Sequence, residues 1–271
     1  MASAGVAVTH ITAALRYILP IFVGLVALAI WQWAVGAWDV PVYVLPAPTD
    51  IADAFAADWQ SLLASLWATL DVTLIAFAAS LIVGVLGAVT FAQSRAVENA
   101  LYPYAVVLQV TPVVAIAPLI LIWVGFDHVE RALVLIAFLV AFFPILSSTL
   151  LGLKSADRNL LNLFALYGAS GWQRLWRLQL PGALPHLLGA MKIAGGLALI
   201  GAVVAEMVAG SGTATGLGWR IVEAGHNLEI AKMFACLGLL AALGIAIFAL
   251  LSALEWALLH TWHESALKKQ E

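Results

Sequence analysis

Six apolar runs, each long enough to cross a lipid bilayer, alternate with short polar stretches along this 271-residue chain. They cover about 17–38, 62–93, 101–126, 132–153, 184–208 and 233–259. At ~1.5 Å per residue, about 20 apolar residues cross a hydrocarbon core of ~30 Å as a helix, which satisfies its own backbone polar groups. The pattern predicts an all-α membrane protein with six transmembrane helices and a single domain over 1–271. A cleaved leader is the competing reading of the first run, with Ala34-Val35-Gly36 as its cleavage site. The length of the run, with Trp31 and Trp33 inside it, favours a retained span. Pro48 suits the first turn of a helix, and Ile51, Phe55 and Trp59 follow at helical spacing. This predicts a separate amphipathic helix lying flat on the outer face before the second run. The third run holds Pro112 and Pro118 and the fourth Pro144, so kinks are expected where neighbouring helices or a water-lined path can satisfy the freed carbonyls. The fifth is dense in small residues, including Gly189, Gly195, Gly196 and Gly201, which permit close helix contact.

The one long polar and basic interruption lies within 154–183. Its pattern predicts two short helices. The first, about Leu160 to Tyr167, ends at Gly168, because glycine readily takes the left-handed conformation that closes a helix. Ser170 can cap the second, in which Trp172, Leu175 and Trp176 share one face while Gln173, Arg174 and Arg177 lie opposite. Pro181 is expected to stop it. An amphipathic elbow between spans can lie on the lipid surface or fit a groove on a partner.

Composition agrees with a membrane protein, since 64% of residues are hydrophobic and only 10% charged. Mean hydropathy is +1.03, outside the soluble range. The single cysteine, Cys236, excludes an intrachain disulfide and a cysteine-based zinc site. Net charge, −3, decides little, because the placement of Lys and Arg sets orientation. Arg16, Arg95, Lys154, Arg158, Arg174, Arg177, Lys268 and Lys269 fall on the side of the elbow. Arg131, Arg220 and Lys232 fall on the other, and Lys192 lies within a span. Eight against three places the elbow and both termini in the cytoplasm.

Gly168, nine residues, and then Leu178-Gln179-Leu180-Pro181 resembles the EAA loop of the permease subunits of ATP-binding-cassette importers. In place of the opening Glu-Ala-Ala the chain has Asn162-Leu163-Phe164, which keeps hydrogen-bonding capacity and loses the charge. The resemblance implies a coupling helix that docks on the ATPase through Asn162, Gly168, Ala169, Ser170, Trp176, Leu178, Leu180 and Pro181. Further segments, Gln109-Val110-Thr111-Pro112, Phe142-Phe143-Pro144, Val203-Val204-Ala205-Glu206-Met207 and Gly216-Leu217-Gly218, are similar to the nitrate/sulfonate/taurine-type branch, which also carries pyrimidine precursors. That branch implies a type I importer permease fold in the cell inner membrane. It implies two ATPase subunits, a second permease copy or sibling, and an extracytoplasmic substrate-binding protein as partners beside the lipid bilayer, with no nucleic acid. No cofactor, metal or catalytic residue is expected, and Gln109, Pro112, Pro118, Glu206 and Met207 are candidates for a gate or translocation path. Where the branch often has a basic residue early in the second span, this chain has Asp71. Glu206 is expected to take hydrogen bonds from nearby backbone or a neighbouring span and hold the outer gate beside 210–218.

Two other classes compete. Gly168-Ala169-Ser170-Gly171 matches the G-x-S-G of intramembrane serine proteases, but no histidine lies well inside a span to serve as its base. An autonomous secondary transporter or channel usually pairs ionisable groups at mid-membrane. Only Lys192 and Glu206 are read as lying within spans, and fourteen helical residues separate them by ~21 Å. No G-x4-G-K-[ST] occurs, so ATP hydrolysis is expected on a separate chain. The charge tally predicts a labelling pattern. In a Cys236→Ser background, a cysteine replacing Ala169 should be labelled only once the cytoplasmic face is opened, and one replacing Ala214 should react from outside. The reverse pattern would invert the topology.

Overall fold

The computed structural model describes residues 2–210 and 215–260. The helices are α1 (Ala2–Ala37), α2 (Pro48–Gln93), α3 (Arg95–Val110), α4 (Val113–Val124), α5 (Val129–Lys154), α6 (Arg158–Leu166), α7 (Gly171–Arg174), α8 (Leu180–Ala209), α9 (Leu217–His226) and α10 (Ile230–Leu259). A 3-10 turn, Phe126–His128, precedes α5, and a π-turn, Leu175–Gln179, joins α7 to α8. Five helical segments are long and apolar enough to cross a membrane, and α3 with α4 makes a sixth if that bent pair is one span.

The centre is an α5–α8 pair with α2 laid against it. Lipid is as apolar as leucine, so spans hold together by close packing rather than by escape from water. Small residues make that approach possible. A Cβ on Gly201 of α8 would stand 2.8 Å from the Ala137 Cα of α5, and one on Gly152 of α5 would stand 2.9 Å from the Ala183 Cα of α8. Gly84 brings α2 equally close to Ile145. Of the four glycines singled out in the fifth run, Gly195 and Gly201 are contact positions, whereas Gly189 and Gly196 face open space. Ser80 of α2 donates to the Phe138 carbonyl of α5 (3.1 Å). By contrast, α1 leaves most of its apolar side chains uncovered from Ile18 onward and, among the described residues, is tied near its C-terminal end. There Gln32 exchanges hydrogen bonds with Thr49, and the Trp31 ring lies 5.9 Å from that of Phe234.

Three expectations need correction. The flat outer helix is not separate, because α2 runs from Pro48 to Gln93 with one non-helical residue, Asp58. Asp58 holds the Lys232 ammonium at 2.6 Å, while Ile51 and Phe55 pack on the cluster of Leu62, Leu217, Ala235 and Cys236. Those contacts hold the segment to the bundle as a kinked extension. The third span is broken rather than kinked, since α3 and α4 meet at 103° across Thr111-Pro112. Pro112 lacks an N–H and starts α4 as its N-cap. Pro181 does not stop a helix, and the chain is helical from Gly171 to Ala209, well before the expected start at 184. The π-turn removes the conflict. Leu180 N–H bonds five residues back, to the Leu175 carbonyl, so the carbonyls ahead of Pro181 leave the α register that its ring would meet.

Gly201→Leu should force α5 and α8 apart and cost about 1–3 kcal/mol. Gly196→Leu, facing open space, should cost little. Thermal unfolding of the detergent-purified subunit compares the two, and equal midpoints would show that the pair does not limit stability.

Candidate functional site

Two polar regions sit at opposite ends of α8. At one end is the elbow. Asp157 caps α6, accepting from Asn159 N–H (2.7 Å) and Leu160 N–H (3.3 Å). Gly168, at φ +67, closes α6, with Ala169 N–H bonded to the Phe164 carbonyl and Gly168 N–H to that of Ala165. This double bond pattern requires a left-handed residue, so glycine sits where its freedom is used. Ser170 Oγ then accepts from Gln173 N–H (3.2 Å) and Gln173 Oε1 from Ser170 N–H (2.8 Å), a reciprocal cap that starts α7. Ser170 is thereby engaged as a cap, and among the described residues no histidine shares a hydrogen bond with it.

The apolar face of the second helix splits in two. Leu175 is buried in the bundle beside Leu153 and Ala183, and Leu180 packs on the same cluster. Trp172 and Trp176 are instead 66% and 55% exposed, with rings 5.5 Å apart. The π-turn begins at Leu175 and shifts the residues after it, and Leu175 and Leu180 both lie on the bundle side. Gln179 ties the turn to the end of α5 by donating to the Leu153 carbonyl (3.2 Å). Leu166 and Tyr167 are 85% and 83% exposed, Asn162 and Pro181 are exposed, and Leu178 is partly buried. Between α6 and α7 lies a cleft of about 340 Å³ lined by Leu163, Phe164, Tyr167, Ala169, Gln173 and Arg177.

At the other end of α8, Glu206 is only 1% exposed. Its Oε2 accepts from the Gly218 N–H (2.8 Å) and the Thr69 hydroxyl (3.1 Å), and Thr69 Oγ1 accepts from the Leu217 N–H (2.9 Å). These are the first two amides of α9, whose own N-cap, Gly216, has no side chain to offer. Side chains from α8 and α2 therefore cap α9 from outside it, meeting the demand a helix start makes for acceptors. A Cβ at Gly216 would overlap the Glu206 carboxyl group, and one at Gly218 would stand 2.5 Å from the Val203 carbonyl oxygen. Arg220 extends the network, donating to Ser65 Oγ (3.2 Å) and pairing with Glu223 (2.8 Å). The partners expected of Glu206, backbone and a neighbouring span, are the ones present. Thr69 was not singled out in the sequence, where a threonine inside an apolar run carries no pattern.

The remaining path candidates do not join this network. Gln109, Pro112 and Pro118 are exposed on the α3–α4 bend, and Met207 points away from its buried neighbour at 42% exposure. One inventory of buried charge is corrected. Glu255 also lies inside the last span, and its Oε2 holds Lys192 Nζ at 2.5 Å. It stands four residues before the end of α10, inside the run read as 233–259, and was left out of the charges counted there.

Comparison with known proteins places the chain. Residues 80–260 match the family of binding-protein-dependent transport system inner membrane components, and the chain belongs to that family. It is 36% identical over 243 residues to the riboflavin transport system permease protein RibX of Chloroflexus aurantiacus, covering 88% of this chain and 87% of the relative. It is 35% identical over 236 residues to the formylaminopyrimidine transport permease protein ThiX of Halalkalibacterium halodurans, covering 87% and 92%. The fold matches that of the MetNI methionine ABC transporter in an inward-facing conformation, with a TM-score of 0.63 over 73% of this chain and 96% of that one, at 19% identity. The architecture is the type I importer permease fold, in the branch that holds sulfonate and taurine permeases. This is a multi-pass permease of the inner membrane.

Glu206→Ala removes the acceptor of one α9 amide and should cost about 1.5–3 kcal/mol, the range for a hydrogen bond to a charged group. Glu206→Gln retains an acceptor and should be mild. Thermal unfolding in detergent ranks the variants, and an Ala variant as stable as the parent would deny Glu206 its capping role.

Proposed function

We propose that this chain forms one half of the translocation path of an ATP-driven importer, and that segment 154–183 is its contact with a separate ATPase subunit. The path would be six spans deep, counting α3 with α4 as one, with elbow and termini in the cytoplasm. A substrate-binding protein outside would deliver a small solute, and a second permease copy or sibling would supply the other half. The chain itself carries no phosphate-binding loop, so ATP would bind elsewhere.

One observation carries the reading. Trp172 and Trp176 stand uncovered on a basic helical segment that continues without a break into the central helix α8, with Leu166 and Tyr167 uncovered across the turn at Gly168. Contiguous exposed aromatic surface marks a contact with another macromolecule, and the cleft between α6 and α7 offers room for an inserted side chain. Leu180, which belongs to the bundle, is not part of that surface. A secondary transporter gains one argument from the Lys192–Glu255 pair. The family match outweighs it, because that pair also serves to fasten α10 to α8.

The experiment uses the whole importer in proteoliposomes. Gly168→Asp puts a Cβ on a residue at φ +67 and a carboxylate beside the contact. The subunit should insert normally while ATP-driven uptake falls more than tenfold, the effect of losing about 1.4 kcal/mol of docking. ATPase activity should stop responding to loaded binding protein or the ATPase should fail to assemble. Parental uptake by this variant would show that the elbow is not the coupling element.

A further inference from the structure

Helix α9 ends as α6 does. Glu229 N–H bonds to the Ala224 carbonyl (2.8 Å) and Leu228 N–H to that of Gly225 (3.3 Å), the double closure that sets one residue left-handed. At the end of α6 that residue is Gly168; here it is Leu228, at φ +58. Asp39 is the other non-glycine residue at positive φ among the described residues, and a short polar side chain tolerates that conformation. Leucine suits it poorly, because its Cβ crowds the following carbonyl oxygen. Burial could offset the strain, but Leu228 is 72% exposed. A lone apolar residue on a surface is ordinary. One that also strains the backbone gives the isolated subunit nothing in return, and strain held in this way points to a contact outside the chain.

The turn stands at the end of the bundle opposite the elbow, between α9, whose first amides Glu206 and Thr69 hold, and α10. Three carboxylates and two cations accompany it on α2, α9 and α10. Glu229 follows Leu228 directly and shares Lys232 with Asp58 (3.5 and 2.6 Å), while Glu223 holds Arg220 (2.8 Å). In every pair the carboxylate is the more exposed partner, so the rim presents negative charge. That charge selects among occupants. An anionic lipid surface is repelled by it. A second copy of this chain, meeting the turn across a two-fold axis, would bring an identical acidic rim against it. A soluble protein with an apolar pocket edged by Lys or Arg fits both the leucine and its rim.

We propose that Leu228 is the docking anchor for the extracytoplasmic substrate-binding protein, which receives it in an apolar pocket with a basic rim. This rests on the importer-permease reading and names the surface by which that partner engages. The ten residues of α9 separate the anchor from the amides held by Glu206 and Thr69, so a load on Leu228 is carried to the end of α8 by one short helix.

Leu228→Gly separates anchoring from folding. Glycine accepts the left-handed conformation, so the detergent-purified subunit should melt about 2–4 °C higher. In the whole importer in nanodiscs, the concentration of its binding protein that half-maximally stimulates ATP hydrolysis should rise at least about tenfold. Leu228→Met, which keeps an apolar side chain of similar volume, should stay within about threefold of the parent. Glu229→Lys should weaken docking as well, and tighter docking would deny the rim its sign. A leucine with only a local role would give the higher midpoint without the weaker docking, and that result overturns the proposal. A lower midpoint overturns it too, by showing that Leu228 supports the subunit's own packing. Leu228→Cys in a Cys236→Ser background, labelled with a benzophenone maleimide, should cross-link to the binding protein on illumination. Adducts confined to lipid or to a second permease copy name another occupant and sink the assignment. Gly168→Asp tells the two readings apart, because it should abolish stimulation and leave the cross-link in place. If the parental ATPase ignores its binding protein, the importer reading fails and the anchor with it.

Discussion

The close approach of α5 and α8 is the constraint on which the rest depends. Inside a bilayer an apolar side chain gains little by leaving lipid for protein, so two spans hold together through the fit of their surfaces. Gly201 against Ala137 and Gly152 against Ala183 give that fit at both ends of the contact. The elbow ends where α8 begins, and Glu206 lies where α8 ends. A 30-residue helix of ~45 Å thus joins the two polar regions, with its middle immobilised against α5. Displacement of either end must be shared with the other or absorbed at the termini.

Several polar groups in the spans are satisfied across an interface between helices, while others, such as Thr73, bond back to their own helix. Glu206 and Thr69 serve α9, Ser80 reaches α5, and Lys192 meets Glu255. Leaving such a group unpaired in hydrocarbon costs several kcal/mol, so each pairing also specifies which helices are neighbours. This is how an all-apolar chain, with few distinguishing side chains, acquires a single arrangement.

What was legible in the sequence was mainly local. Hydropathy located the apolar runs, while the helices of the second and fifth start well before the read bounds and the third is broken in two. The elbow's punctuation follows from Gly168 and Ser170, because a left-handed closure and a reciprocal cap are made by residues within a few positions of each other. Features that failed depend on distant partners. Nothing near Asp58 announces Lys232, 174 positions away, so the kinked continuity of α2 was missed. Glu255 was left out of the charges counted within spans, and its partner Lys192 is invisible to it in one dimension. The division of labour between Leu175 and the tryptophans depends on which side the bundle packs, and no residue type signals the π-turn that carries the helix through Pro181. Glu206 was legible as a buried acceptor, while its partner Thr69 was not.

The π-turn at Leu175–Gln179 has a consequence for how such chains change over evolutionary time. A π-turn is an α-helix carrying one inserted residue, and an α-helix advances ~100° per residue. The tryptophan face therefore stands about a quarter-turn from where an uninterrupted helix would place it relative to the bundle. Removal of a single residue from that stretch would rejoin the two registers, swing Trp172 and Trp176 around the helix axis and leave the membrane core unchanged. Insertions and deletions there re-aim the elbow's surface as a unit, a kind of change that substitution of individual side chains cannot produce.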